Sequence, residues 1–195
     1  MFTDLPNLLT FARIAAIPVL VVLMGLQDPR ADFAASMVFA AASITDYFDG
    51  KLARDRHQES SIGRVFDPIA DKLLVGASLM VLAGQNHLSM WGLYPAIVIM
   101  MREILVSGLR EYLAGVRVGL PVTNLAKWKT GFQMGALGAL IAGDGGARFV
   151  HLGFLHVETI GLAMLWVAAI LTILTGWDYL IAGIRHAVAP QGRDS

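Results

Sequence analysis

Residues 46–71 read DYFDGKLARDRHQESSIGRVFDPIAD and contain aspartates in two close pairs. Asp46 and Asp49 are three residues apart, and Asp67 and Asp71 are four residues apart. Residues with these spacings share one face of an α-helix. The link between the two pairs is short and polar, so the stretch predicts two antiparallel helices whose carboxylates converge in one cleft.

The composition around this stretch is that of a membrane protein. Of 195 residues, 56% are hydrophobic and 15% are charged, whereas a soluble domain carries roughly a quarter charged residues. A spanning helix needs about 20 mainly apolar residues. Six segments reach or nearly reach that length, namely residues 7–26, 33–54, 63–84, 91–113, 125–143 and 159–183. We therefore predict one all-α integral membrane domain over residues 1–195 with six transmembrane helices.

The distribution of basic residues predicts the orientation of this bundle. If the N-terminus lies in the cytoplasm, 13 of the 15 Lys and Arg residues fall on the cytoplasmic side, and only Arg30 and Arg148 fall outside. Cytoplasmic loops of membrane proteins carry such an excess. Both termini and a polar cavity around the aspartates are thus expected at the cytoplasmic side, while the glycine-rich Gly143–Ala147 is expected to be an external turn.

Four carboxylates held together near a bilayer predict a cation between them. An all-oxygen ligand set without His or Cys favours a hard divalent ion such as Mg²⁺, Mn²⁺ or Ca²⁺. A pair of such ions can bind a phosphoryl group between them. Gly50, Ala53 and Gly63 allow a ligand close to the backbone, and Arg54 can bind a phosphate through two hydrogen bonds. The alternative is a solvated cap of surface ion pairs, which does not require eight specified positions within 26 residues.

These eight positions, D-x2-D-G-x2-A-R-x8-G-x3-D-x3-D, resemble the signature of the CDP-alcohol phosphotransferase family, and all eight match. The resemblance implies a six-helix membrane enzyme in which an alcohol attacks the β-phosphate of a CDP-linked lipid and CMP leaves. By position, Asp46, Asp49 and Asp67 would bind metal, and Asp71 would be a metal ligand and the catalytic base. The residues implied for CDP-lipid binding are Asn7, Thr10, Asp49, Gly50, Ala53, Arg54 and Gly63. A helix cap at Asn7 and Thr10 is the alternative there, with Arg13 extending to the membrane interface.

The acceptor alcohol has to be inferred from other residues. Arg102, Arg110, Lys127 and Lys129 favour a phosphorylated acceptor; an Arg102–Glu103 ion pair and lipid headgroups at the lysines are the alternatives. Residues 6–13, 102–111 and 127–134 resemble the phosphatidylglycerophosphate synthases of the same family. This implies transfer of the phosphatidyl group from CDP-diacylglycerol to sn-glycerol 3-phosphate in the cytoplasmic (inner) membrane of a bacterium, with two Mg²⁺ ions (or Mn²⁺) and a homodimer.

Other functions remain open from the sequence. A sister enzyme of the family would use inositol phosphate, serine or phosphatidylglycerol as acceptor. A divalent-cation transporter would spread acidic residues through the membrane depth, whereas here they cluster at one end. A structural protein with a metal staple is a third possibility. No nucleic-acid partner is predicted, and the absence of cysteine excludes disulfides and thiolate chemistry.

Overall fold

The computed structural model describes residues 5–56, 61–85, 87–115 and 124–188, and these ranges form an all-helical bundle. The helices are α1 (Leu5–Gly25), α2 (Pro29–Arg56), α3 (Ser61–Gly84), α4 (Met90–Gly115), α5 (Asn124–Phe149) and α6 (Val157–Val188). They confirm the predicted six-helix architecture. Residues 1–4 and 189–195 lie outside the described residues, so the side on which the termini lie stays a prediction.

The turn between α1 and α2 follows from local sequence signals. Gly25 ends α1, and Gln27 has a positive φ of 51°. The carboxylate of Asp28 accepts hydrogen bonds from the backbone N–H groups of Arg30 at 3.0 Å and Ala31 at 3.4 Å. An aspartate N-cap followed by proline at the first helical position is a strong helix start. The chain therefore reverses within a few residues, and α1 packs against α2.

All six helices contribute to one core. α5 packs on α2 and α6, α4 packs on α6, and α1 packs on α2 and α3. Each helix provides at least one almost fully buried side chain to this core, namely Leu20, Phe39, Leu74, Ile99, Leu137 and Leu165. Consecutive helices alternate in direction, so the starts of α1, α3 and α5 share one end of the bundle with the ends of α2, α4 and α6.

The outer surface is apolar. Large hydrophobic side chains such as Val22, Met80 and Ile173 are more than half exposed. Three segments of the described chain are long and apolar enough to cross a membrane by length and composition: Leu8–Gly25, Met90–Gly115 and Val157–Ile181. Helices with apolar surfaces on all sides occur in cores or in membranes, and an apolar exterior favours the membrane.

The glycine-rich segment 143–147 is only in part the turn that its composition suggests. α5 breaks at Gly143, where φ is 58° and ψ is 179°, but then continues as helix to Phe149. A Cβ atom on Gly146 would lie 3.3 Å from the backbone nitrogen of Phe33 in α2. The turn prediction agrees with the break at Gly143 and was wrong for residues 144–147, which are helical. A run of glycines also permits close helix packing, and here it lets the end of α5 approach α2.

Candidate active site

A cavity of about 350 Å³ lies between α3, α4 and α5. It is at the end of the bundle where α3 and α5 begin and α4 ends. Its lining consists of Asp67, Pro68, Asp71, Lys72, Val75, Met100, Arg102, Glu103, Ile104, Arg110, Lys129, Thr130, Gln133 and Met134. The structure thus brings the second aspartate pair together with three of the predicted phosphate-binding cations, Arg102, Arg110 and Lys129.

The acidic wall of the cavity is formed by one face of α3. Asp67 and Asp71 are one helical turn apart and both line the cavity. The hydroxyl of Thr10 in α1 donates a hydrogen bond to Oδ1 of Asp67, and Thr10 is 3% exposed. Thr10 was predicted to bind the CDP-lipid, and in the structure it orients a predicted metal ligand. Arg13, one turn further along α1, is buried, so its side chain does not extend to an interface.

Several predicted site residues have a described backbone and an undescribed side chain. They are Asp46, Asp49, Gly50, Ala53 and Arg54 in α2, Gly63 in α3, and Asn7 in α1. The convergence of all four aspartates therefore stays a prediction. Among the side chains that the structure describes, no group of three or more His, Cys, Asp or Glu residues is close enough to hold a metal ion.

The basic wall is organised by a shared carboxylate. Glu103 on α4 accepts a hydrogen bond from Nζ of Lys129 on α5 and lies 3.2 Å from Nη1 of Arg102. Nη2 of Arg102 donates to the hydroxyl of Thr175 on α6 at 3.0 Å. Lys129 is 6% exposed, so its charge has little water around it. The Arg102–Glu103 pair is therefore present, and Arg102 lines the cavity as well.

Helix α6 supports both arginines from behind. A Cβ atom on Gly176 would lie 3.1 Å from Cγ of Arg102, so the glycine makes room for the arginine stem. The ring of buried Tyr179 faces two guanidinium groups, with centroid distances of 5.7 Å to Arg102 and 5.6 Å to Arg110. Both distances lie within the range of cation–π attraction. No sequence signal links Tyr179 to α4, because helix-to-helix contacts across such separations leave no local pattern.

The helical spacing on α5 separates the two lysines. Lys127 is exposed and does not line the cavity, whereas Lys129 does. Residues two apart on a helix do not share a face. The spacing alone could therefore have shown that Lys127 and Lys129 do not both line one cavity. Gln133 lies one turn after Lys129 on the same face, and Lys72 directly follows Asp71; both line the cavity and are absent from the predicted site.

Comparison with known proteins connects this geometry to a family. The sequence profile described as CDP-alcohol phosphatidyltransferase matches residues 3–174. The chain belongs to this family. The resemblance found in the aspartate signature is thereby confirmed.

Named relatives of this CDP-alcohol phosphatidyltransferase are similar over nearly their full lengths. A Rickettsia bellii protein is 45% identical over 179 residues, covering 92% of this chain and 94% of the relative. A Cereibacter sphaeroides protein is 39% identical, covering 90% and 93%. A Shigella flexneri protein is 39% identical, covering 92% and 94%. Each is named CDP-diacylglycerol–glycerol-3-phosphate 3-phosphatidyltransferase.

The donor set of the cavity fits a divalent metal. Asp67 and Asp71 place carboxylate oxygens at one cavity wall, and no described His side chain is part of the lining. Oxygen ligands of this kind are preferred by Mg²⁺ and Ca²⁺. Opposite them lie cations suited to a phosphate group. The cavity therefore has one wall suited to a divalent metal and one suited to an anionic phosphate.

Proposed function

We propose that this chain transfers the phosphatidyl group of CDP-diacylglycerol to sn-glycerol 3-phosphate, which gives phosphatidylglycerophosphate and CMP. Relatives bearing the corresponding name are 39% to 45% identical over at least 90% of the chain. The observation that carries the proposal is the cavity in which Asp67 and Asp71 face Arg102, Arg110 and Lys129. Such a cavity combines a site for a nucleotide diphosphate with a site for a phosphorylated acceptor.

The cationic wall would bind the acceptor's phosphate. Lys129 is buried and Arg102 is held by Glu103 and Thr175, so both charges are fixed and shielded from water. A phosphate group gains more from such cations than from solvated ones. Arg110 adds a guanidinium at the rim of the cavity. Lys127 is exposed and lies outside the cavity lining. We keep it in the proposal as a cation that contacts the acceptor's phosphate before the acceptor enters the cavity.

The acidic wall would bind the metal and the donor. The proposed ligands of the divalent metal are Asp46, Asp49, Asp67 and Asp71. We propose that they bind two Mg²⁺ ions. When bound, these ions would offset the negative charge of the pyrophosphate and of the departing CMP. The CDP-lipid site would be formed by Asn7, Thr10, Asp49, Gly50, Ala53, Arg54 and Gly63. The hydrogen bond from Thr10 to Asp67 supports this assignment.

The reaction would be a single displacement at phosphorus. The acceptor's primary hydroxyl oxygen forms a bond to the β-phosphorus of CDP-diacylglycerol. The bond from that phosphorus to the bridging oxygen breaks, and CMP leaves with this oxygen. Asp71 takes the hydroxyl proton as the bond forms. The fixed cations hold the acceptor in place, and such positioning supplies a large part of a rate enhancement.

We also propose that the protein lies in the cytoplasmic membrane of a bacterium and that its cavity opens to the cytoplasm. Arg30 and Arg148 lie at the opposite end of the bundle from the cavity, and the other 13 basic residues are assigned to the cavity side. This asymmetry supports cytoplasmic termini. A single domain over residues 1–195 is proposed from the length of the chain and is supported by the one core to which all six helices contribute. A homodimer rests on the family resemblance.

CMP release from CDP-diacylglycerol by the purified protein tests the proposed function. The acceptors are sn-glycerol 3-phosphate, inositol phosphate, serine and phosphatidylglycerol, each with Mg²⁺ and with EDTA. We expect rapid CMP release only with glycerol 3-phosphate and Mg²⁺. Equal release with inositol phosphate would overturn the acceptor assignment. Metal uptake into liposomes without CDP-lipid would instead favour a transporter.

A further inference from the structure

Gln133 is a buried polar residue of the cavity wall that the proposed reaction does not use. It lies on α5 one turn after Lys129, is 2% exposed and lines the cavity. Its side-chain carbonyl oxygen has no hydrogen-bond partner among the described residues. Buried polar atoms are nearly always hydrogen-bonded in native proteins, so a partner that enters the cavity is expected.

Each described carboxylate of the cavity has a contact or a proposed role. Glu103 binds Lys129 and Arg102, and Asp67 accepts a hydrogen bond from Thr10. Asp71 has the proposed role of base and metal ligand. The carbonyl of Gln133 differs from these carboxylates, because it is a buried, uncharged acceptor with no hydrogen-bond partner among the described residues.

The chemistry of the proposed acceptor supplies such a group. Glycerol 3-phosphate has a phosphate for the cations, a primary hydroxyl that attacks and a secondary hydroxyl that does not react. A neutral amide suits the secondary hydroxyl, because it accepts a hydrogen bond without placing another negative charge near the phosphate. Gln133 is also on the same helix face as Lys129, so a molecule bound at Lys129 lies near it.

We propose that Gln133 accepts a hydrogen bond from the secondary hydroxyl of the acceptor and determines the enzyme's preference for it. This inference rests on the proposed function and deepens it. A site that hydrogen-bonds a substrate hydroxyl discriminates against an analogue without that hydroxyl, since the buried acceptor is then left unpaired. A buried water that satisfies the same oxygen is the competing explanation.

The test measures kcat/KM for two acceptors with wild type and Gln133→Met. The acceptors are sn-glycerol 3-phosphate and 3-hydroxypropyl phosphate, which lacks only the secondary hydroxyl. We expect wild type to prefer glycerol 3-phosphate by roughly tenfold to one-hundredfold. In Gln133→Met this ratio should fall to within about threefold of unity, through a loss confined to glycerol 3-phosphate.

A matched control uses Gln85, a half-buried glutamine at the other end of the bundle. The side-chain amide of Gln85 donates to the backbone oxygen of Met24 at 2.7 Å, at the end opposite the cavity. Gln85→Met should keep the wild-type acceptor ratio. A general loss of packing would change the rates with both acceptors together and would leave the ratio unaltered.

Three outcomes would overturn the proposal. An equal loss with both acceptors in Gln133→Met would assign the residue to packing or to a bound water. A wild-type enzyme that uses both acceptors equally well would exclude discrimination at this hydroxyl, whether or not the variant folds. If wild type releases CMP rapidly only with an acceptor other than these two, the proposed function itself fails, and the role of Gln133 fails with it.

Discussion

Replacing Glu103 with glutamine removes the negative charge that Lys129 and Arg102 share, while the shape of the side chain hardly changes. Two unit charges 3.2 Å apart, the Arg102–Glu103 distance, attract by about 5 kcal/mol at an effective dielectric constant of about 20. Removing one partner of a buried pair costs about 3–5 kcal/mol. The glutamine oxygen still accepts a hydrogen bond worth about 1 kcal/mol, and the partners are partly exposed. We therefore expect a loss of about 3 kcal/mol.

The assay is thermal unfolding of the purified protein in detergent, followed by the fluorescence of its four tryptophans. A loss of about 3 kcal/mol corresponds to a melting temperature lower by roughly 6–12 °C in a chain of this size. The KM for glycerol 3-phosphate should rise by about tenfold, because Lys129 and Arg102 lose the group that holds them in place. Glu111→Gln is the matched control, since Glu111 is exposed on the same helix and should change stability by less than about 1 kcal/mol.

A double-mutant cycle with Lys129→Met decides whether the pair itself carries this stability. Without the lysine, the charge of Glu103 has one fewer partner, so replacing Glu103 then costs less stability. The loss of unfolding free energy in the double variant should therefore be smaller than the sum of the two single-variant losses by roughly 1–3 kcal/mol. Additive losses, or a Glu103→Gln protein that melts within about 2 °C of wild type, would refute the reasoning. The ion pair would then contribute nothing measurable to stability.

Three further substitutions test the two walls of the cavity. Asp71→Asn should lower the rate of CMP release by about 1000-fold or more, while equilibrium binding of labelled CDP-diacylglycerol is largely kept. Thr10→Val removes the hydrogen bond to Asp67 and should raise the Mg²⁺ concentration for half-maximal activity by roughly tenfold, as a Mg²⁺ titration would measure. Gly176→Ala places a Cβ atom 3.1 Å from Cγ of Arg102 and should raise the KM for glycerol 3-phosphate by about threefold to tenfold.

Matched controls separate these effects from general damage. Gly108→Ala on α4 adds a Cβ atom with no neighbour within 4 Å, so the KM should not change. Thr172→Val removes a buried hydroxyl that has no hydrogen-bond partner among the described residues, so the Mg²⁺ dependence should stay as in wild type. Loss of lipid binding in Asp71→Asn would contradict its role as the base. An unchanged Mg²⁺ titration in Thr10→Val would contradict the role of the Thr10 hydroxyl in orienting Asp67.

The sequence predicts the helices and the spacing of the acidic wall well, because both depend on local order along the chain. Apolar segments of spanning length recur where the six helices lie, and a four-residue separation places Asp67 and Asp71 on one face of α3. The error at residues 144–147 arises because the prediction considers only local sequence. A glycine run is compatible with a turn and with close helix packing, and only the position of α2 distinguishes the two.

The basic wall was decided by tertiary structure. The charges of Arg102, Arg110 and Lys129 are visible in the sequence, as is the possible Arg102–Glu103 pair, but their partners on other helices are not. Glu103 joins α4 to α5, while Thr175 and Tyr179 bring α6 against both arginines. These contacts depend on how side chains of all the helices fit together, and no short segment contains that information.

By itself, then, the sequence determined the family, the six helices and the acidic signature, because these are encoded by residue type at fixed local spacing. The tertiary structure decided which cations reach the aspartates: Lys129 faces the cavity and Lys127 does not. It also showed that Gln133 lies in the wall with a carbonyl oxygen unpaired among the described residues. The physical reason is that burial and hydrogen bonding between helices are properties of the packed bundle, not of any one helix.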